Sequence, residues 1–265
     1  MQLTLAVLFG SAVGLSLGLT GGGGSILAVP LLVYGLGLEL RAAVAISLVV
    51  VGLTSLFGAA IQARSGQVLW RAGAILGVGG ILAAPLGARI GALMPDDLVL
   101  TLFAILMAVV GFRMAAGGGE SPEVPVGRFA CARDSDGFPS PTLSCVLKMG
   151  GAGALTGVLS GIFGVGGGFL LVPALVWVGS ARIEYALATS LVAIALISVS
   201  GFIANLGAAG GVSIALVVLF AAGAVAGMIA GARWKRRLSP VVLGRVFAVV
   251  AIGAGIYVLL QVFLG

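Results

Sequence analysis

Two runs of glycine interrupt segments that are otherwise apolar enough to lie in a bilayer. The first, Gly21-Gly22-Gly23-Gly24-Ser25, is followed by the apolar run Ile26 to Leu38, with Pro30 inside it. The second, Gly164-Val165-Gly166-Gly167-Gly168, is followed by Phe169 to Val178, with Pro173. A break of this kind leaves the first backbone amides of the following helix without intrahelical partners. Within a membrane such amides persist only where protein covers them or a wet cavity receives them. Function is expected to concentrate at these two breaks.

The remaining sequence reads as further apolar segments: Leu3 to Leu19, Ala42 to Ile61, Ala72 to Ile90 with a kink expected at Pro85, Leu98 to Phe112, Met149 to Phe163, Tyr185 to Leu206, Val212 to Ala232 and Val241 to Leu264. With the two runs after the breaks they make about 10 hydrophobic segments. Only 8% of the 265 residues are charged, against about 25% in a soluble domain. The predicted fold class is an all-α membrane protein. The chain has 45 glycines and no histidine, a composition that lets helices pack backbone to backbone. The 13 residues from Ile26 to Leu38 reach about 20 Å as a helix, short of the roughly 30 Å hydrocarbon core. That run is a half-helix or a tilted short span.

Several functions are disfavoured on the same grounds. The net charge of +6 comes from basic residues at segment ends, where they set topology, so nucleic acid is not an expected partner. Met1-Gln2-Leu3-Thr4 lacks the basic start of a secretory signal peptide. Cys131 and Cys145 have neither CxxC spacing nor a histidine partner, which speaks against a metal site. They read as incidental thiols, with a redox or sulfur-carrier role as the alternative. No nucleophile–base spacing and no intramembrane carboxylate pair is found. Neither an enzyme nor a cofactor is expected.

The halves repeat. Shifting the sequence by 143 residues over positions 10 to 58 gives 19 identities in 49. They include Gly14 with Gly157, Gly18 with Gly161, Gly21 with Gly164, Gly23-Gly24 with Gly166-Gly167, Pro30 with Pro173 and Ser47 with Ser190. After one inserted residue, Arg89 falls on Arg233. The expected organisation is a first membrane repeat over 1–115, a linker over 116–145 and a second repeat over 146–265. Internal repeats of this kind build many transporters.

Charge decides whether the halves are parallel or inverted. If each broken pair leaves the membrane on the side it entered, one face collects 12 basic residues and the other only Arg41 and Arg89. If each pair makes one crossing, the split is eight against six. The positive-inside rule prefers the first arrangement. It predicts inverted-topology repeats with glycine-broken helical hairpins, both termini outside and the linker in the cytoplasm.

Inverted repeats bring the two breaks together near the midplane. Helix N-termini carry partial positive charge and free N–H donors, so two converging ends favour a small anion. Glycine admits close approach there. The candidate binding residues are Gly22, Gly23, Gly24, Ser25, Gly166, Gly167 and Gly168, joined by the intramembrane hydroxyls Ser47, Thr189 and Ser190, and by Gln62 and Asn205, which the repeat superposes. Each has a plainer reading. Hydroxyls can bond their own helix, Asn205 can cap a helix end, and Arg89 and Arg233 can snorkel to opposite interfaces. For Gly10, Gly14 and Gly18 tight helix crossing is the preferred reading.

The motif Gly14-x3-Gly18-x2-Gly21-Gly22-Gly23-Gly24-x5-Pro30, with its second copy Gly157-x3-Gly161-x2-Gly164-Val165-Gly166-Gly167-Gly168-x4-Pro173, resembles the TauE/SafE family of sulfite-exporter-like permeases. The resemblance covers nearly all the chain outside the linker. It implies a multi-pass transporter of the bacterial inner membrane that moves small sulfur-containing anions such as sulfite, sulfoacetate or related organosulfonates, with the glycine runs as substrate site. Export by alternating access is the leading expectation. Import of a sulfur oxyanion or small carboxylate, a passive anion channel, and a sulfur-handling protein using Cys131 and Cys145 are the alternatives. The expected partners are the substrate and the bilayer, with a homodimer compatible.

Overall fold

A computed structural model describes residues 2–116, 142–179, 181, 183–209, 212–234 and a few positions between 249 and 261. Cys131, most of the linker and most of the expected Val241 to Leu264 segment lie outside the described residues. Among the described residues the chain is helical, with 6 helices long and apolar enough to cross a membrane. These are α1 (Gln2–Thr20), α3 (Leu40–Ala63), α4 (Trp70–Leu93), α6 (Leu143–Phe163), α8 (Ile183–Ala204) and α9 (Ile214–Trp234). Between α1 and α3 the chain forms a 3-10 turn (Gly23–Leu27), the short α2 (Ala28–Pro30) and a π-turn (Leu31–Gly35). α5 (Asp96–Ala116) follows α4, and α7 (Gly168–Trp177) lies between α6 and α8.

Helix boundaries follow local chemistry. α6 begins at Leu143, earlier than the expected Met149 and inside the expected linker, because the Thr142 side chain accepts from the Cys145 amide at 3.4 Å and caps it. The same turn holds Cys145, which is disulfide-bonded rather than an incidental thiol. α4 runs through Pro85 without ending. Proline cannot donate to the carbonyl four residues back, and that carbonyl, on Ile81, instead accepts from the Ser200 hydroxyl of α8 at 2.8 Å. Neighbouring helices commonly satisfy groups freed in this way inside a membrane. Ser200→Ala removes that donor, and a loss of about 1–3 kcal/mol of stability is expected, measurable by thermal unfolding in detergent.

Glycine seams set the packing. On α1, Gly10, Gly14 and Gly18 lie against the backbone of Phe220, Ala224 and Met228 on α9. On α6, Gly153, Gly157 and Gly161 lie against the backbone of Leu76, Gly80 and Ala84 on α4. Both pairs run parallel, and at each of these glycines a Cβ would overlap the opposite backbone. At Gly10, Gly14 and Gly18 the structure therefore has close crossing, which is the preferred reading. Large apolar side chains face outward, among them Leu8, Leu82, Leu93, Phe112 and Leu155, as a lipid-facing surface requires.

At the centre α3 packs on α8. Leu48 meets Gly201, Gly52 meets Ser198 and Gly58 meets Leu191, so the two helices run antiparallel. α5 closes one side, with Phe103 against Phe163 at a centroid separation of 5.5 Å.

Candidate functional site

The two glycine breaks touch. A Cβ on Gly168 would lie 2.5 Å from the Gly22 oxygen, and one on Gly22 would lie 2.9 Å from the Gly168 oxygen. Side chains there would push the breaks apart, which is why both positions hold glycine. Ile194 of α8 borders Gly22, Gly166 and Gly168, and Val51 of α3 borders Gly166.

Each break is pinned by a serine at a repeat-matched position. The Ser47 hydroxyl donates to the Gly164 carbonyl at 2.7 Å, and the Ser190 hydroxyl donates to the Gly21 carbonyl at 2.8 Å. Gly21 (φ 69°) and Gly164 (φ 72°) are left-handed, a conformation that glycine enters without a steric penalty. Four residues separate Ser47 from Val51 and Val51 from Ser55, as they separate Ser190 from Ile194 and Ile194 from Ser198. This spacing puts each trio on one helical face, and Ser47, Val51, Ser190, Ile194 and Ser198 meet the breaks. Removing either outer hydroxyl, in Ser47→Ala or Ser190→Ala, is expected to cost about 1–3 kcal/mol because a buried carbonyl loses its donor. Thermal melting of the purified variants measures it.

The breaks differ in detail. In the first, the Gly24 amide donates to the Thr20 hydroxyl at 3.0 Å, and both the amide and the hydroxyl of Ser25 donate to the Gly22 carbonyl. Their donors are used within the break, and Gly23 opens the 3-10 turn. In the second, Gly167 (φ 70°) is the N-cap of α7 and Gly166 (φ 67°) precedes it. The amides of Gly167 and Gly168 stand at the start of that helix, where no intrahelical acceptor precedes them. The second break thus opens a 10-residue helix whose N-cap makes no side-chain cap bond.

The other candidates lie elsewhere. Thr189 is buried, and its hydroxyl accepts from the Leu69 amide at 2.9 Å, tying α8 to the α3–α4 connection. Gln62 and Asn205 stand near the C-terminal ends of α3 and α8. Because those helices are antiparallel, the two amides are at opposite ends of the pair, and the structure does not bring them together. Asn205 donates to the Gly201 carbonyl at 2.8 Å, as a helix-end residue does. It also lines a cavity of about 230 Å³ with Arg41, Arg89, Asp96, Val44 and Gly161. Val44 borders Gly164 on its other side, so the cavity reaches toward the second break. Arg41 donates to the Ala92 carbonyl at 2.9 Å and stands 3.9 Å from the Asp96 carboxylate, with both side chains more than half exposed. Such a pair contributes at most about 1 kcal/mol.

Three buried hydroxyls, on Ser55, Ser160 and Ser198, have no hydrogen-bond partner among the described residues. The repeat shift that pairs Ser47 with Ser190 also superposes Ser55 on Ser198. The buried polar side chains that are described are all serine or threonine. No cluster of His, Cys, Asp or Glu that could hold a metal occurs among the described residues. The centre can therefore offer neutral N–H and O–H donors.

The family model described as "Sulfite exporter TauE/SafE" matches residues 6–258. A "Probable membrane transporter protein" of Xylella fastidiosa strain Temecula1 is 35% identical over 255 residues, covering 94% of this chain and 92% of the relative. Its counterpart in strain 9a5c matches to the same extent. "Probable membrane transporter protein YdhB" of Bacillus subtilis strain 168 is 26% identical over 242 residues, covering 91% and 93%. No solved structure matches. The chain is a multi-pass membrane protein, and it belongs to the sulfite exporter TauE/SafE family.

Proposed function

We propose that this protein is a secondary transporter that exports a small sulfur-containing anion, such as sulfite or a related organosulfonate, across the bacterial inner membrane by alternating access. The observation that carries this reading is the contact of Gly22 with Gly168 beside Ile194 of α8, at the N-terminus of α7. Helix-end donors in a covered, low-dielectric place favour an anion. Gly21, Gly22, Gly164, Val165 and Gly166 are all buried, a closed centre that suits a carrier better than an open channel. The cavity beside Arg41 and Arg89 is read as the vestibule on the outer face.

Inverted-topology repeats are part of the reading. Its support is the antiparallel course of the repeat-matched helices α3 and α8, and the way the parallel α1–α9 pair is echoed by α6–α4. Charge bias supports periplasmic termini and a cytoplasmic linker. The disulfide at Cys145 pulls the other way, since disulfides persist in oxidising compartments; twelve basic residues against two outweigh one bond. In a background with Cys131 and Cys145 replaced by serine, Ser121→Cys and Ser239→Cys are expected to label from the cytoplasmic side. Labelling of either only from outside overturns the topology.

The test of function is flux of labelled sulfite, sulfate and sulfoacetate into proteoliposomes, with and without H⁺ or Na⁺ gradients. Saturable flux of a sulfur anion above that of empty liposomes is expected. No saturable flux of any of them rejects the reading, and gradient-independent conductance at very high rate replaces it with a channel.

A further inference from the structure

Resting on that transport reading, we propose that Ser55 and Ser198 are the hydroxyl donors that bind the anion at the closed centre, and that a centre built only of neutral donors selects a singly charged anion: hydrogen sulfite or a monosulfonate rather than a dianion. Ser55 is 0% exposed and Ser198 1%, and neither hydroxyl has a partner among the described residues. A buried hydroxyl without a partner is costly and uncommon in a native protein. Here two stand at positions the internal repeat superposes, so both halves of the molecule keep the same unsatisfied donor.

Their place points to the ligand. The Ser198 oxygen lies 2.9 Å from where a Cβ on Gly166 would be, next to the second break, and Gly52 of α3 faces it. Ser55 is one turn beyond Val51, the residue that borders Gly166, on the same face of α3. It sits about 4–5 Å further along the axis than Gly52. The two serines therefore stand within about one helical turn of each other along the α3–α8 pair, and Ser198 borders the second break. Ser160 is a third unpartnered hydroxyl, one turn after Thr156, whose side chain meets Gly167.

The charge class follows from what surrounds them. Among the described buried side chains none is cationic. Hydroxyls and amides can replace the hydration of one negative charge, but an uncompensated second charge in such a place is disfavoured. The outer serines, Ser47 and Ser190, hold the breaks in shape, while the inner pair is left free for the solute. Sulfite and hydrogen sulfite differ by one proton, so the selected form is the more abundant one at lower pH.

The test uses the full chain in proteoliposomes with sulfite, methanesulfonate, sulfoacetate and sulfate as probes. Ser55→Ala and Ser198→Ala are each expected to raise KM about tenfold or more, the effect of losing one hydrogen bond to a charged group, and Ser→Thr to restore part of it. Because the hydroxyls have no partner among the described residues, the same alanine variants are expected to melt no lower than wild type, unlike Ser47→Ala. Flux at fixed total sulfite is expected to rise from pH 8 to pH 6 while methanesulfonate flux does not, with sulfate and sulfoacetate poor substrates. Wild-type transport with unchanged KM in both alanine variants overturns the role of the serines. A fall in melting temperature matching that of Ser47→Ala makes them structural. Sulfate or sulfoacetate carried as well as methanesulfonate overturns the charge class. Absence of all wild-type flux instead rejects the transport reading beneath both.

Discussion

Gly168→Val is expected to abolish transport while the protein still inserts. A Cβ at this position would stand 2.5 Å from the Gly22 oxygen and 2.6 Å from the Ile194 Cδ1, and valine adds two methyl groups beyond it. The methyl of Ile194 can shift, but the Gly22 carbonyl belongs to a break pinned by Ser190. The breaks would separate, and the amides of the second would no longer share a centre with the first. Losing even one well-aligned donor to an anion is worth about 1.5–3 kcal/mol, so flux should fall at least about tenfold. Gly166→Ala should behave alike for a second reason. Its φ of 67° is left-handed, and a Cβ would crowd Ser198 at 2.9 Å. Flux in proteoliposomes, normalised to inserted monodisperse protein, is the measurement. Wild-type flux in Gly168→Val would remove the breaks from the transport path.

The second large effect concerns folding. Gly157→Leu should abolish recovery of folded protein, because a side chain there overlaps the backbone of Gly80 at the α4–α6 seam. Overpacking a well-fitted site costs about 1–3 kcal/mol, and backbone is less able to yield than a side chain. Gly151, on the same helix, provides the control. A Cβ there meets nothing within 4 Å, so Gly151→Leu should be tolerated and could gain up to about 1 kcal/mol of helix propensity. Size-exclusion profiles of both variants from one membrane preparation compare them directly. Equal recovery would show that the seam is looser than its geometry implies.

The two predictions separate two uses of one residue type. In α1 and α6, glycine every fourth position is a packing device that brings parallel helices to backbone contact. At 21–24 and 164–168 it gives left-handed turns and lets two chain breaks meet. Sequence spacing alone distinguishes these uses only in part. The regular four-residue period of Gly10, Gly14 and Gly18 marks a helical stripe, whereas an uninterrupted run cannot belong to one face.

Much of the membrane architecture could be read without coordinates. The apolar lengths located the six long helices, and the glycine runs located the breaks, because hydrocarbon thickness and backbone hydrogen bonding leave few alternatives. The internal repeat was equally plain in the residues. What sequence could not decide was the partner of each polar group. Ser47, Ser55, Ser190, Ser198 and Thr189 look alike along the chain. Only the tertiary packing decides that Ser47 and Ser190 hold carbonyls, that Thr189 serves the Leu69 amide, and that Ser55 and Ser198 have no partner among the described residues. Gln62 and Asn205, matched by the repeat, end at opposite ends of the pair for the same reason: hydrogen bonding depends on three-dimensional neighbours, and an antiparallel crossing sends equivalent residues in opposite directions.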